Sequence, residues 1–435
     1  MTDLPSRPPA SERAVGLEFY LTETPGVPAA TKGSPEEFRV TEISSYPLPD
    51  SNGPFTVLRV VSRNWEQHEL GEAIARRLGL SPHTVQWSGT KDRRAVAERL
   101  LSYRGPPPER DLGLREVDLL EAYRARDGLV LGHHYGNAFE VRVVPERSPP
   151  DEAATAYRAT ATALRSAGGF PNFFGLQRFG EVRPVTHEVG RQLVRGDPGA
   201  AVDAYLTAIP PGTSEGHGDE ARRAYAGHRD PLRALREFPP DYRFERSLLE
   251  RLARGQPPEQ ALRALSRDLR LLFVHAYQSL LFNRWLSRRR AAALPLDRPV
   301  PGDRILRAGR DGTIRGQDAV PVGTDNEREC AELVARGRAF LAGPLVGMDT
   351  TLAAGPGGAL LATLLDEESI GPAAFRIPFA PELASRGTWR PVLLPLPPLG
   401  ITADPTGVGF RFALPKGAYA TVLLREFLKN GSEPR

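Results

Sequence analysis

Apolar and polar residues alternate from Phe38 to Ile43 (Phe-Arg-Val-Thr-Glu-Ile), the period of two that marks a half-buried strand. Thr56 to Val61 is β-branched and predicts a second strand, and Thr84 to Trp87 a short third. Between them, Leu70, Ile74 and Leu78 recur at helical spacing over Glu69–Leu80, with Gly79 placed to close the helix. Arg94 to Leu101 continues apolar, and Asn137 to Val144 alternates again. The first ~145 residues therefore predict a mixed α/β unit. Helical periods dominate afterwards. Asp151–Ala167 is Ala-rich and amphipathic, and Asp268–Arg290 lines Leu269, Leu272, Phe273, Ala276, Tyr277, Leu280 and Leu281 along one face. Residues 291–400 are rich in Pro and Gly. Gly409–Leu414 predicts a strand, Pro415–Gly417 a turn, and Tyr419–Lys429 a helix or strand–helix. Strand-rich ends around a different middle suggest one domain interrupted by another.

Composition narrows the class. The 435 residues are 40% hydrophobic and 25% charged, with 42 Gly and 42 Pro, which excludes collagen, coiled coil and wholesale disorder. No apolar run approaches the ~20 residues of a membrane helix, and residues 1–16 read as a flexible tail without a signal peptide. A single cysteine, Cys330, in a Glu/Arg-rich helical pattern excludes an internal disulfide and any multi-cysteine metal site. A cytoplasmic protein is expected. Lysine occurs only at Lys32, Lys91, Lys416 and Lys429 among 57 basic residues, so each marks a place where a compact ammonium is favoured over a guanidinium. Charge is concentrated. Ala221–Arg290 holds 16 Arg against seven acids, a surplus that fits a polyanion such as RNA or, alternatively, a solvated helical face.

Three segments carry candidate chemistry. In Ser88-Gly89-Thr90-Lys91-Asp92-Arg93-Arg94-Ala95, cations flank one carboxylate and favour its ionised form, which suits nucleophilic or charge-stabilising work. The plain alternative is an Asp-capped helix start with a surface ion pair. Phe170–Gly180 interleaves aromatics with Asn172, Gln177 and Arg178, residue types that stack on bases and read their edges, or that line a protein core. Gly136-Asn137-Ala138-Phe139 offers an amide that could pair with a uracil edge beside a ring, or an Asn turn entering a strand. There is no HExxH, no GxSxG and no complete phosphate loop, and no metal is expected.

These motifs stand in a definite order: Lys32 with Phe38–Ile43, Gly89–Ala95, Gly136–Phe139, Asn172–Gly180, and Arg411–Glu426. Together they resemble the TruD family of RNA pseudouridine synthases. The resemblance implies isomerisation of a uridine, typically at position 13 of tRNA, without cofactor or metal. It implies Asp92 as catalytic nucleophile and Phe38, Asn137 and Tyr419 as uridine contacts. Phe139, Lys32, Lys91 and Lys416 lie in the same motifs, and Asn172 and Arg178 in the aromatic one. The implied fold class is α/β (α+β): a pseudouridine-synthase-type mixed β-sheet catalytic domain (17–168 and 384–435) interrupted by an inserted, RNA-binding TRUD-type α/β domain (169–383). A monomer acting on RNA, and on no membrane, is expected. Ala97 and Arg99 stand where the family often has Thr and Gln, and Phe173 where it often has Tyr. The alternative from another class is a non-catalytic RNA-binding or RNA-folding protein on the same scaffold.

Overall fold

The computed structural model describes residues 7–430 except 32, 110, 181–182, 211–215, 217 and 310–313. The chain divides into two units. One comprises Thr22–Ser166 with Leu396–Asn430, the other residues 1–21 with Ala167–Pro395 and 431–435.

Strands of the first unit form where the sequence pattern predicts them, and Ala29–Thr31, Val117–Ala125 and Gly400–Asp404 add strands that the pattern did not name. They are β1 (Ala29–Thr31), β2 (Phe38–Ile43), β3 (Phe55–Arg63), β4 (Gln86–Trp87), β5 (Val96–Arg104), β6 (Val117–Ala125) and β7 (Gly136–Pro145), joined by Gly400–Asp404 and Gly407–Pro415. They make one mixed sheet in the order Gly400–Asp404, Gly407–Pro415, β7, β2, β5, β3, β6, with β1 on β7 and β4 on β5. Among the described residues only β2 and β5 run parallel, with Val40 level with Ala97. One face buries Leu58, Val60, Leu101 and Tyr103 against Leu70 and Ile74 of the Gln67–Arg77 helix. That helix ends as the glycine pattern predicts: Leu78 is its C-cap and Gly79 follows at φ +67°. At the other end of the sheet, Tyr157 of the Pro150–Ser166 helix meets Phe410 at 5.2 Å and Phe427 of the Ala420–Leu428 helix at 6.3 Å.

The second unit is built on the predicted long helix, which runs Arg267–Ala291 and is buried along Phe273, Ala276, Tyr277, Leu280 and Leu281. Thr186–Val194 packs against it. An antiparallel sheet completes the unit in the order Ile314–Pro321, Arg304–Ala308, Ala339–Leu345, Thr388–Pro391. Of the predicted tail 1–16, residues 1–6 lie outside the described ones. Ala10–Ala14 is a helix, and the carbonyl of buried Val15 accepts from Asn283 Nδ2 at 2.9 Å. Among the described residues no helix is long and apolar enough to cross a membrane.

Candidate active site

The site is assembled around a carboxylate at a buried phase of a strand. Phe38, Val40 and Glu42 share one face of β2, and their cross-strand partners on β7 are Val141, Phe139 and Asn137. Phe38 and Phe139 are buried and meet edge-on at 5.9 Å, and Phe139 stacks on Phe412 at 5.4 Å. This apolar floor carries Glu42 and Asn137 at its end. Glu42 has a side chain only 1% exposed, and Lys91 one 2% exposed; Lys91 Nζ donates to Glu42 Oε2 at 2.8 Å. Ser88 Oγ donates to the other carboxylate oxygen. The loop after β4 is thus fixed to β2 at both Ser88 and Lys91, and Asp92 follows next, half-buried, with Arg93 and Arg94 exposed beyond it.

Electrostatics explain why the pair is closed so tightly. Burial pulls the Lys91 ammonium below the ordinary lysine value, Glu42 opposes this, and Arg99 adds to it. Arg99 is 1% exposed on β5, and Nη1 donates to Gln67 Oε1 at 2.6 Å. Burial pushes its guanidinium down to about 10, with Glu42 and Glu66 holding it up, so it stays charged at neutral pH. One buried carboxylate therefore acts on two buried cations, on Lys91 through a hydrogen bond and on Arg99 through space.

A second tie comes from the segment before β7. Gly132 N donates to Ser88 O at 2.7 Å, and His134 Nδ1 lies 3.0 Å from the same oxygen. Lys416 Nζ donates to Gly132 O at 2.6 Å, and Lys416 N to Tyr135 O at 3.0 Å. These bonds bring together the Asp92 loop, the start of β7 with Asn137, and the turn leading to Tyr419, which is the half-buried N-cap of the last helix. Asn137 Oδ1 is buried and has no hydrogen-bond partner among the described residues. An unmet buried acceptor costs about 1–3 kcal/mol, and a bound donor would recover it.

The bonds described above do not include the remaining expected residues. Lys32 lies outside the described residues. Asn172 and Arg178 belong to the other unit. The Asn172 amide is used at both ends: Nδ2 donates to Pro391 O at 3.0 Å and Oδ1 accepts from Arg390 Nη2 at 2.6 Å. Arg178 Nε donates to Ser279 Oγ at 3.2 Å. Phe170, Phe173, Phe174 and Phe179 are buried, so of the two readings of this segment these rings take the one of a protein core. The arginine surplus is also partly consumed. Arg222 is bound to Glu245, Arg270 to Glu382, Arg284 to Glu368, Arg288 to Glu367 and Arg289 to Asp303, whereas Arg243, Arg254, Arg263 and Arg267 stay exposed. Cys330 is buried, and burial pushes its thiol up, as expected of an inert cysteine.

The roles of Glu42, Arg99, Ser88 and His134 are not stated by any local motif. Glu42 and Arg99 could have been flagged, because each interrupts the apolar phase of its strand: Phe38-Val40-Glu42 and Ala97-Arg99-Leu101.

Residues 14–427 match the family described as tRNA pseudouridine synthase D (TruD). A Halobacterium salinarum protein named "Probable tRNA pseudouridine synthase D" is 38% identical over 433 residues, 96% of this chain and 97% of its own. One of the same name from Archaeoglobus fulgidus is 36% identical over 425 residues, 96% and 99% of the two chains. A crystal structure described as "Putative tRNA pseudouridine synthase D (TruD) from Methanosarcina mazei" superposes with a TM-score of 0.81 at 30% identity, over 97% of this chain and 98% of that one. The chain is an enzyme of the RNA-modifying isomerase class. It belongs to the tRNA pseudouridine synthase D (TruD) family.

Proposed function

We propose that this chain converts a uridine of tRNA, at position 13, to pseudouridine, with Asp92 as the nucleophile. The observation that carries the reading is the shared anchor. Glu42 fixes the loop bearing Asp92 and is the cross-strand partner of Asn137, whose buried Oδ1 awaits a donor. The N3–H of a uracil is such a donor. In the reaction the N1–C1′ bond breaks, the uracil turns, and C5 bonds to C1′. N1 gains a proton and C5 loses one, so nothing is consumed. The Asp92 carboxylate either attacks C1′ or takes a proton from the sugar, and both routes place it beside the ribose. The detached uracil must be held while it turns, a task for the Asn137 amide and for Tyr419 at the rim. Extruding the target nucleotide costs a few kcal/mol, offset by contacts to the RNA backbone. Arg93 and Arg94 beside the loop serve this, as do the exposed arginines of the inserted domain, roughly residues 169–383, which binds the RNA.

The test is pseudouridine mapping in tRNA incubated with the wild-type protein and with Asp92→Asn. New pseudouridine at position 13 with the first and none with the second is expected. Modification by both would remove Asp92 from its role, and binding without modification by either would favour a non-catalytic RNA-binding protein.

A further inference from the structure

We propose that His134 is a positioning residue: by hydrogen bond and by ring contact it seats the loop that carries Asp92. The proposal rests on the reading of Asp92 as nucleophile and adds a part that neither motif nor family description names.

The bond comes first. His134 Nδ1 lies 3.0 Å from the carbonyl oxygen of Ser88, four residues before Asp92. A carbonyl can only accept, so Nδ1 carries the proton, and the tautomer is thereby assigned. The same oxygen accepts from Gly132 N at 2.7 Å, and Gly132 O is held by Lys416 Nζ at 2.6 Å. Ser88 is therefore grasped twice: its carbonyl by the segment before β7, and its hydroxyl by Glu42 of β2.

Contact comes second. The imidazole lies flush on Gly89. A Cβ built there would sit 2.7 Å from His134 Cε1 and 3.0 Å from Nε2, closer than carbon atoms approach. Gly89 has no positive φ in this structure, so its lack of a side chain answers to the ring above it and not to a special backbone shape. Glycine and histidine, 45 positions apart, are thus a fitted pair.

Burial first, and neighbouring cations second, keep the strut neutral. Burial depresses the His134 imidazole, and the cations Lys91 and Lys416 depress it further, against Glu42 and the Ser88 carbonyl. The neutral ring donates through Nδ1 without placing another cation beside Lys91.

His134→Phe keeps the ring and removes the donor. His134→Asn keeps a donor near the Nδ1 position. Gly89→Ala keeps His134 but pushes the ring off the loop. Each is measured with Asp92→Asn alongside, for kcat, KM and thermal unfolding midpoint, on full-length protein and tRNA. We expect His134→Phe and Gly89→Ala each to lower kcat by about ten- to a hundredfold, the range for a reacting group displaced by up to ~1 Å, with KM and midpoint unmoved. His134→Asn should hold kcat well above the Phe variant. Wild-type kcat in a folded His134→Phe, or equal loss in the Phe and Asn variants, overturns the proposal. Should the Phe variant not fold, Gly89→Ala decides it: loss of kcat supports the strut, and full kcat refutes it. If Asp92→Asn is inactive and the His134 and Gly89 variants are unaffected, the strut alone fails. If Asp92→Asn is active, the nucleophile reading fails and the strut with it.

Discussion

Replacing Glu42 by Gln keeps the shape of the site and strips Lys91 of its buried carboxylate partner, leaving Arg99 with Glu66. Lys91, 2% exposed, then has an amide oxygen for a partner instead of an anion. Breaking a buried pair from one side costs about 3–5 kcal/mol. The chemistry of lysine sets a ceiling on that cost, because Lys91 can shed its proton. From an ordinary lysine value of about 10.4, deprotonation at pH 7 costs about 5 kcal/mol and at pH 9 about 2 kcal/mol. The sign follows from which state holds the proton. In the variant the folded-state pKa of Lys91 lies further below its unfolded value, so the unfolded chain binds the proton more tightly. Stability then rises with pH up to the unfolded value. The loss relative to wild type should be several kcal/mol at pH 7 and smaller at pH 9. It does not vanish, because Arg99 stays charged. Urea unfolding of both proteins at the two pH values measures this. At pH 7 the thermal midpoint should fall by roughly 10 °C, at about 2–4 °C per kcal/mol for a unit of this size. Adding Lys91→Met to Glu42→Gln should recover much of the loss, since a buried pair replaced by apolar groups is often neutral. Equal stability of Glu42→Gln and wild type at pH 7, or an identical deficit at pH 7 and pH 9, refutes the reasoning.

Other outcomes follow from the second unit. Burial, with Arg178 nearby, pulls the His275 imidazole down to about 4. Its folded value lies below the unfolded value of about 6.5, so its contribution is complete above pH 6.5 and is lost as pH falls toward 4. The full loss is at most about 3 kcal/mol, and a His275→Gln variant should show a correspondingly flatter stability profile across that window. Replacing exposed Arg243, Arg263 and Arg267 together by Ala should lower the slope of log affinity for tRNA against log salt by about one per lost phosphate contact. The same change at Arg289, whose guanidinium is fully buried on Asp303, should instead lower the unfolding midpoint. Arg390→Met should also destabilise, by about 2–4 kcal/mol, because it strands Asn172 Oδ1 and removes a guanidinium 4.0 Å above the Phe174 ring.

Much of this was legible in the chain because periodicity is local. The alternation over Phe38–Ile43 and the helical spacing over Asp268–Arg290 became the strand and helix they predict, within a residue or two. Contacts between distant segments were less visible. The Glu42 carboxylate finds its partners 46 and 49 positions away, and nothing near it in sequence names them. Its one local trace is a charge in the buried phase of β2. The aromatics of Phe170–Phe179 stayed open between two readings for a related reason. Composition gives the same signal for a stacking surface and for a packed core, and only the covering long helix decides between them. The arginine surplus was likewise a local count, whereas Arg270, Arg284 and Arg289 are matched by acids at Glu382, Glu368 and Asp303.

The most direct measurement is single-turnover modification of tRNA by wild-type protein and by Asp92→Asn at equal occupancy, established by parallel binding titrations. Wild type should form pseudouridine at position 13 while the Asn variant binds the RNA comparably and forms none; a variant that binds and modifies at the wild-type rate would contradict the central claim.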